Sequence, residues 1–132
     1  MDYLSNTINT RTEKVTIVII NYNGAADTIE CLQSLEKINY KNVEIVVIDN
    51  GSTDNSVDVL KKHKNNFRLL TSETNLGFAG GNNIGIKYAL RNGADFVLLL
   101  NNDTLVNPDF VDHLLATART AESIGIVGGK IF

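Results

Sequence analysis

The sequence predicts an α/β domain, Rossmann-like, with a mostly parallel sheet and helices on both faces. Three observations predict it. Residues 15–20, 43–48 and 94–100 are aliphatic runs with little polar interruption, the mark of strands buried on both faces. Segments of helical apolar spacing lie between them. Strand and helix alternate along the chain, which calls for parallel strands covered by their crossover helices.

Residues 15–20 read as the first strand, ending in Asn21, Tyr22, Asn23 and Gly24. A helix follows over 25–38, with Ile29, Leu32, Leu35 and Ile38 on one stripe. The second strand, 43–48, is closed by Asp49, Asn50, Gly51 and Ser52, and a second helix is expected over 54–64 with Val57 and Leu60 inward. A short strand over 67–70 leads to an Asn- and Gly-rich loop over 74–83, then a helix over 84–91. After the strand at 94–100, Asn107 as N-cap and Pro108 as first helical residue predict a further helix, with Phe110, Leu114 and Leu115 as its stripe. A fifth strand is expected over 124–127, and 130–132 reads as the start of another.

The 132 residues suffice for one domain and are too few for two separate cores. Residues 1–14 read as a loose polar lead-in and 15–132 as the domain. Apolar residues at 43% and charged residues at 20% are the mix of a globular domain. A net charge of −3 argues against a nucleic-acid partner. Lys61, Lys62, His63 and Lys64 fall at an expected helix end, where positive charge complements the helix dipole. Cys31, the single cysteine, forms no internal disulfide and fits a reducing compartment, so a cytoplasmic location is expected. Its helical setting favours an inert, buried thiol. No apolar stretch is long enough to span a membrane, and the lead-in lacks the apolar core of a signal peptide.

Ligands of open parallel sheets bind in the crevice outside the carboxyl ends of the strands. There the sequence collects Asn21, Tyr22 and Asn23, then Asp49 and Asn50, then Asn101, Asn102 and Asp103. Each group also has a plain reading. Residues 49–52 and 101–104 suit tight turns, and Tyr22 suits either a packed aromatic or a platform for a base. Asp103 is the natural ligand for a hard divalent cation, because carboxylate and phosphate oxygens complete such shells. The glycines at 77, 80 and 81 suit a flexible connection, or an anion site ahead of a helix.

Other nucleotide and catalytic patterns are missing. The dinucleotide fingerprint does not follow the first strand, and the Walker pattern is absent. His63 and His113 stand 50 positions apart with no cysteine beside them, which argues against a zinc site. No G-x-S-x-G element suggests a serine hydrolase.

Four segments together resemble family 2 of the glycosyltransferases, in its rhamnosyltransferase-like branch. They are VTIVIINYNG at 15–24, VVIDNGSTDNS at 46–56, NLGFAGGNNIG at 75–85 and LLLNNDT at 98–104. They occur in the family's order and cover nearly everything after residue 14. The resemblance implies the GT-A fold, a nucleoside-diphosphate sugar (UDP- or dTDP-linked) as donor, and Mg²⁺ or Mn²⁺. By position, Asn21, Tyr22 and Asn23 would line the base pocket, and Asp49 would accept from the base. Asn75, Gly77, Gly81 and Asn82 would border nucleotide and sugar. Asn101, Asn102 and Asp103 occupy the place of the family's D-x-D motif, leaving Asp103 as the metal ligand and Asn101 near the ribose.

The first acid of that motif is an asparagine here, so one carboxylate remains. The implied reaction is inverting transfer to a glycan or lipid-linked acceptor, with the full-length protein cytoplasmic or peripheral to the inner face of a membrane. No residue matches the family's general base, which is expected beyond Phe132. On that expectation the chain is a donor-binding part whose open sheet edge favours self-association. A non-catalytic nucleotide-binding module, or a plain α/β domain with polar turns, are the readings set against it.

Overall fold

The computed structural model describes residues 12–63 and 66–129. Strands β1 (Val15–Asn21), β2 (Val43–Asn50), β3 (Phe67–Ser72) and β4 (Phe96–Asn101) alternate with helices α1 (Ala25–Leu35), α2 (Ser56–Lys62), α3 (Gly77–Arg91) and α4 (Phe110–Ala118). All pairings are parallel, in the order β3-β2-β1-β4. The chain steps outward from β1 to β3, then returns to lay β4 on the other side of β1. The order therefore reverses between β1 and β4, the point at which such sheets open a ligand crevice.

Alternation along the strands divides the core. Val15, Ile17 and Ile19 of β1 and Val47 of β2 pack with Cys31, Leu32 and Leu35 of α1, Leu60 of α2, and Val111 and Leu115 of α4. On the other face Val18, Val46 and Ile48 meet Ile84 and Tyr88 of α3. Each fully buried aliphatic side chain contributes about 1.5–3 kcal/mol relative to exposure, so β1 and β2 are the anchor of the fold. β4 forms an edge, and Leu99 on it is 46% exposed.

The expected strands at 15–20, 43–48, 67–70 and 94–100 are all present within two residues of their bounds. The helix boundaries moved further. α3 begins at Gly77, inside the segment read as a loop. Its sheet-facing positions are Gly81, Asn82, Gly85 and Ala89, which leave no large apolar stripe to recognise. These small residues are required by close approach: a Cβ on Gly85 would stand 2.3 Å from Val18 Cγ1. Tertiary packing here overrides the roughly 1 kcal/mol that each glycine costs a helix.

α4 starts at Phe110 rather than Pro108, because Asn107 and Pro108 form a preceding turn in which Phe110 N–H donates to Asn107 O at 3.2 Å. The Pro108 carbonyl is engaged by Asn39 N–H at 2.7 Å. α2 starts at Ser56, whose N–H donates to Asp54 Oδ1 at 2.9 Å, and its inward residues are Ser56 and Leu60, with Val57 half-buried.

No fifth strand forms at 124–127. Residues 124–129 are irregular among the described residues, and Ile126 is 94% exposed. Three glycines at 125, 128 and 129 lower strand propensity there, and none has a neighbour within 4 Å of a built Cβ. Residues 1–11, 64–65 and 130–132 lie outside the described residues. Residues 12–14 are tied to the domain through Asn42 Nδ2 to Thr12 O, Tyr40 Oη to Glu13 O and Lys14 N to Asp95 Oδ2.

Candidate functional site

The expected site residues gather at the carboxyl ends of β1, β2 and β4 and at the start of α3. Register brings Asn21 beside Asp49 and Asn101 beside Ile20. The residues then separate into a buried layer and an exposed layer. Asn21, Asp49, Gly81 and Asn82 are buried, and Asn102 is half-buried. Tyr22, Asn23, Asn75, Gly77, Asn101 and Asp103 are exposed around them.

Asp49 is turned inward. It is 1% exposed, and its Oδ1 accepts from Asn21 Nδ2 at 2.9 Å and Ser52 Oγ at 2.6 Å. Its Oδ2 accepts Ser52 N–H at 3.0 Å. In this state the carboxylate organises its own loop. Ser52 Oγ in turn accepts Asn23 N–H at 2.9 Å. Asn23 is the one described non-glycine residue with positive φ, at 50°, a backbone region that asparagine tolerates better than most residues. Its side chain completes the join, with Oδ1 accepting Thr53 N–H at 2.8 Å and Asp54 N–H at 3.2 Å. The β1 and β2 loops are thereby fastened together beside exposed Tyr22.

A second joint connects β2 to α3. Asn50 is 2% exposed; its Oδ1 accepts Leu76 N–H at 3.0 Å and its Nδ2 donates to Gly77 O at 3.0 Å. Asn75 Oδ1 accepts Gly77 N–H at 2.8 Å. Gly51, at φ 75°, passes so close that a Cβ would stand 2.4 Å from the Thr74 carbonyl carbon, so only glycine fits this crossing. These contacts aim the N-terminus of α3 at the crevice. The first turn of a helix presents N–H groups without intrahelical partners and the positive end of its dipole, a setting favourable to an anion. The glycines at 77, 80 and 81 belong to that turn itself rather than to a loop before it.

Asn82, 4% exposed in the next turn, has no hydrogen-bond partner for its buried Nδ2. A buried unpaired amide costs about 1–3 kcal/mol, so the atom suits an acceptor supplied from outside the chain.

The third joint reaches the turn after β4. Asn102 Nδ2 donates to Thr28 Oγ1 at 3.1 Å, and Thr28 Oγ1 donates to Asn21 Oδ1 at 2.7 Å. Thr104 N–H donates to Asn101 O at 3.2 Å, which closes the turn carrying exposed Asp103. Cys31 lies beneath it, fully buried, with Sγ 3.8 Å from Asn101 O. Burial pushes the thiol up to about 11, a backbone hydrogen bond with Thr104 opposes the shift, and the Asp103 charge adds to it.

Among the described residues no three His, Cys, Asp or Glu side chains converge on a metal-sized space. The oxygen donors at this turn are nevertheless hard, and one exposed carboxylate fits a divalent cation whose remaining ligands are phosphate oxygens.

Three residues that no motif singles out hold these joints together: Asn50, Ser52 and Thr28. Asn50 and Ser52 are indistinguishable in sequence from ordinary turn residues. Thr28 had a signal, being a polar residue on the same stripe as Cys31, Leu32 and Leu35.

The fold and crevice define a Rossmann-like α/β domain with its polar residues assembled at the topological switch point. The chain belongs to glycosyl transferase family 2, whose model matches residues 16–131. It is 28% identical over 119 residues to the glycosyltransferase GlyG of Streptococcus pneumoniae, covering 88% of this chain and 38% of that protein. It is 32% identical over 121 residues to a poly-beta-1,6-N-acetyl-D-glucosamine synthase of Staphylococcus aureus, covering 89% and 28%. The chain thus spans well under half the length of these curated relatives.

Among solved structures, S. aureus TarS 1-349 in complex with UDP-GlcNAc superposes with a TM-score of 0.67 at 30% identity, covering 78% of this chain and 30% of that one. The mannosyltransferase PcManGT of Pyrobaculum calidifontis, in complex with GDP-Man and Mn²⁺, superposes with a TM-score of 0.66 at 23% identity, covering 80% and 32%. Its likeness bears on the fold, which is that of GT-A glycosyltransferases. No helix among the described residues is long and apolar enough to cross a membrane.

Proposed function

We propose that this chain binds the donor of a glycosyl transfer, a UDP- or dTDP-linked sugar, with Mg²⁺ or Mn²⁺ at Asp103. The observation that carries the reading is the buried Asn82 amide without a partner, next to the N-terminal turn of α3 at the switch point of the sheet. Family membership supports it, as does the UDP-GlcNAc bound to the TarS structure. The base would lie by Tyr22 and Asn23, the diphosphate at the first turn of α3, and the ribose near Asn101. Asp49 was expected to accept from the base. Its three internal hydrogen bonds favour a different part, in which it shapes the base pocket by holding Asn21 and Ser52.

When bound, the cation would neutralise the departing diphosphate. In the proposed reaction an acceptor hydroxyl oxygen attacks the anomeric carbon, the bond to the diphosphate oxygen breaks, and the configuration inverts. The hydroxyl proton passes to a base that we assign to no residue of this chain. The acceptor, a glycan or a lipid-linked saccharide, is likewise assigned to no residue of this chain. Work at the cytoplasmic side of a membrane, membership of the rhamnosyltransferase-like branch, and self-association along the β4 edge at half-exposed Leu99 complete the reading.

A thermal-shift screen of nucleoside diphosphates with and without Mn²⁺ tests it, because a ligand selective for the folded state raises its stability. Stabilisation by UDP or dTDP that grows with Mn²⁺ supports the proposal. No shift with any nucleotide contradicts it.

A further inference from the structure

The crevice holds two sets of residues on separate elements, and one hydroxyl stands between them. Thr28 lies in the first turn of α1 and is fully buried. Its Oγ1 donates to Asn21 Oδ1 at 2.7 Å and accepts from Asn102 Nδ2 at 3.1 Å. Asn21 continues the chain through Nδ2 to Asp49 Oδ1 at 2.9 Å. An unbroken path of side-chain bonds thus runs from β2, across β1 and α1, to the turn that bears Asp103. Asn102 Nδ2 has one further partner, Gly24 O at a long 3.5 Å, so Thr28 is its principal anchor.

We propose that Thr28 is a positioning residue that fixes the Asp103 turn relative to the ends of β1 and β2. A hydroxyl is required by the polarity of the chain, since the group must give one hydrogen bond and receive another at the same atom. Serine meets that requirement. Valine, of nearly the same shape, meets neither half of it: the buried Asn21 Oδ1 loses its donor, and the half-buried Asn102 amide keeps only the long contact to Gly24 O. The turn after β4 would then lose the bond that ties Asn102 to α1 while the apolar packing of α1 stays in place. The part of this inference that concerns cation use rests on the donor-site reading above.

The experiment compares Thr28→Val, Thr28→Ser and Asn102→Ala in the full 132-residue chain by amide hydrogen exchange and nucleotide titration. Thr28→Val should speed exchange of the Thr104 amide at least tenfold, leave Val46 and Ile48 of the core unchanged, and reduce the gain in UDP affinity conferred by Mn²⁺ at least threefold. Thr28→Ser should retain the parent values for all three. Asn102→Ala should reproduce the fast exchange at Thr104 with Thr28 intact, and it decides the coupling if the valine variant fails to fold. Unchanged exchange at Thr104 in the valine variant, or equal loosening throughout β2, overturns the proposal. A parent chain that binds no nucleoside diphosphate overturns the donor-site reading alone, because the exchange rates still decide whether Thr28 holds the turn.

Discussion

Asn50 holds the turn ahead of α3 from within β2: its Oδ1 accepts Leu76 N–H at 3.0 Å while its Nδ2 donates to Gly77 O at 3.0 Å. One side chain thus sets where the helix begins and which way its first turn faces. We expect Asn50→Leu to lower stability by about 1–3 kcal/mol, the net worth of the two backbone hydrogen bonds it removes. It should also weaken nucleotide binding, because the helix N-terminus loses its aim. Urea denaturation and calorimetric titration measure the two effects separately, and full stability with full affinity would refute the assignment.

Asp49 is expected to matter for stability as well as for ligand. Asp49→Ala removes the acceptor for Asn21 Nδ2, Ser52 Oγ and Ser52 N–H at once. Hydrogen bonds to charged groups are worth about 1.5–3 kcal/mol each, so a loss above 2 kcal/mol in urea denaturation is expected. A variant as stable as the parent that binds UDP more weakly would return Asp49 to direct contact with the base.

Gly85 tests the close approach of α3 to the sheet. Alanine favours helix by about 1 kcal/mol over glycine, but its methyl would stand 2.3 Å from Val18 Cγ1. Overpacking of this kind costs about 1–3 kcal/mol, so the clash outweighs the propensity and Gly85→Ala should melt at a lower temperature. A higher melting temperature would mean that the helix can shift at no cost.

Cys31 gives a pH dependence with a definite sign. Its thiol is pushed from 9.0 to about 11 by burial, so the folded chain keeps a proton that the unfolded chain releases. Stability from this group is intact below pH 9 and falls as pH rises toward 11, at no more than about 1.4 kcal/mol per pH unit. Cys31→Ala should remove that part of the alkaline decline in denaturation curves. The folded parent should resist alkylation at pH 8, and rapid labelling would place the thiol at the surface.

The strands were legible because an aliphatic run buried on both faces has few other readings. α3 was not, since a helix pressed against a sheet shows glycines where a surface helix shows leucines. Gly81 and Gly85 are the contact residues, and they resemble a loop until the position of Val18 is known. Asn107 and Pro108 carried helix-start chemistry but form a turn ahead of the helix, in which the Pro108 carbonyl accepts a tertiary bond from Asn39 N–H. At the crevice, residue types and strand-end positions were readable from the four motif segments. What could not be read was direction, because Asp49 pointing inward and Asn82 lacking a partner are properties of packing rather than of order along the chain.

The central claim is a donor site that uses a cation at Asp103, and one titration tests it most directly. UDP is titrated into the chain and into Asp103→Ala by calorimetry, each with Mn²⁺ and again with a chelator. We expect the parent to bind UDP more tightly with Mn²⁺, and the variant to bind with one affinity under both conditions, equal to that of the chelated parent. Equal enhancement by Mn²⁺ in parent and variant, or no binding by the parent at all, would contradict the account.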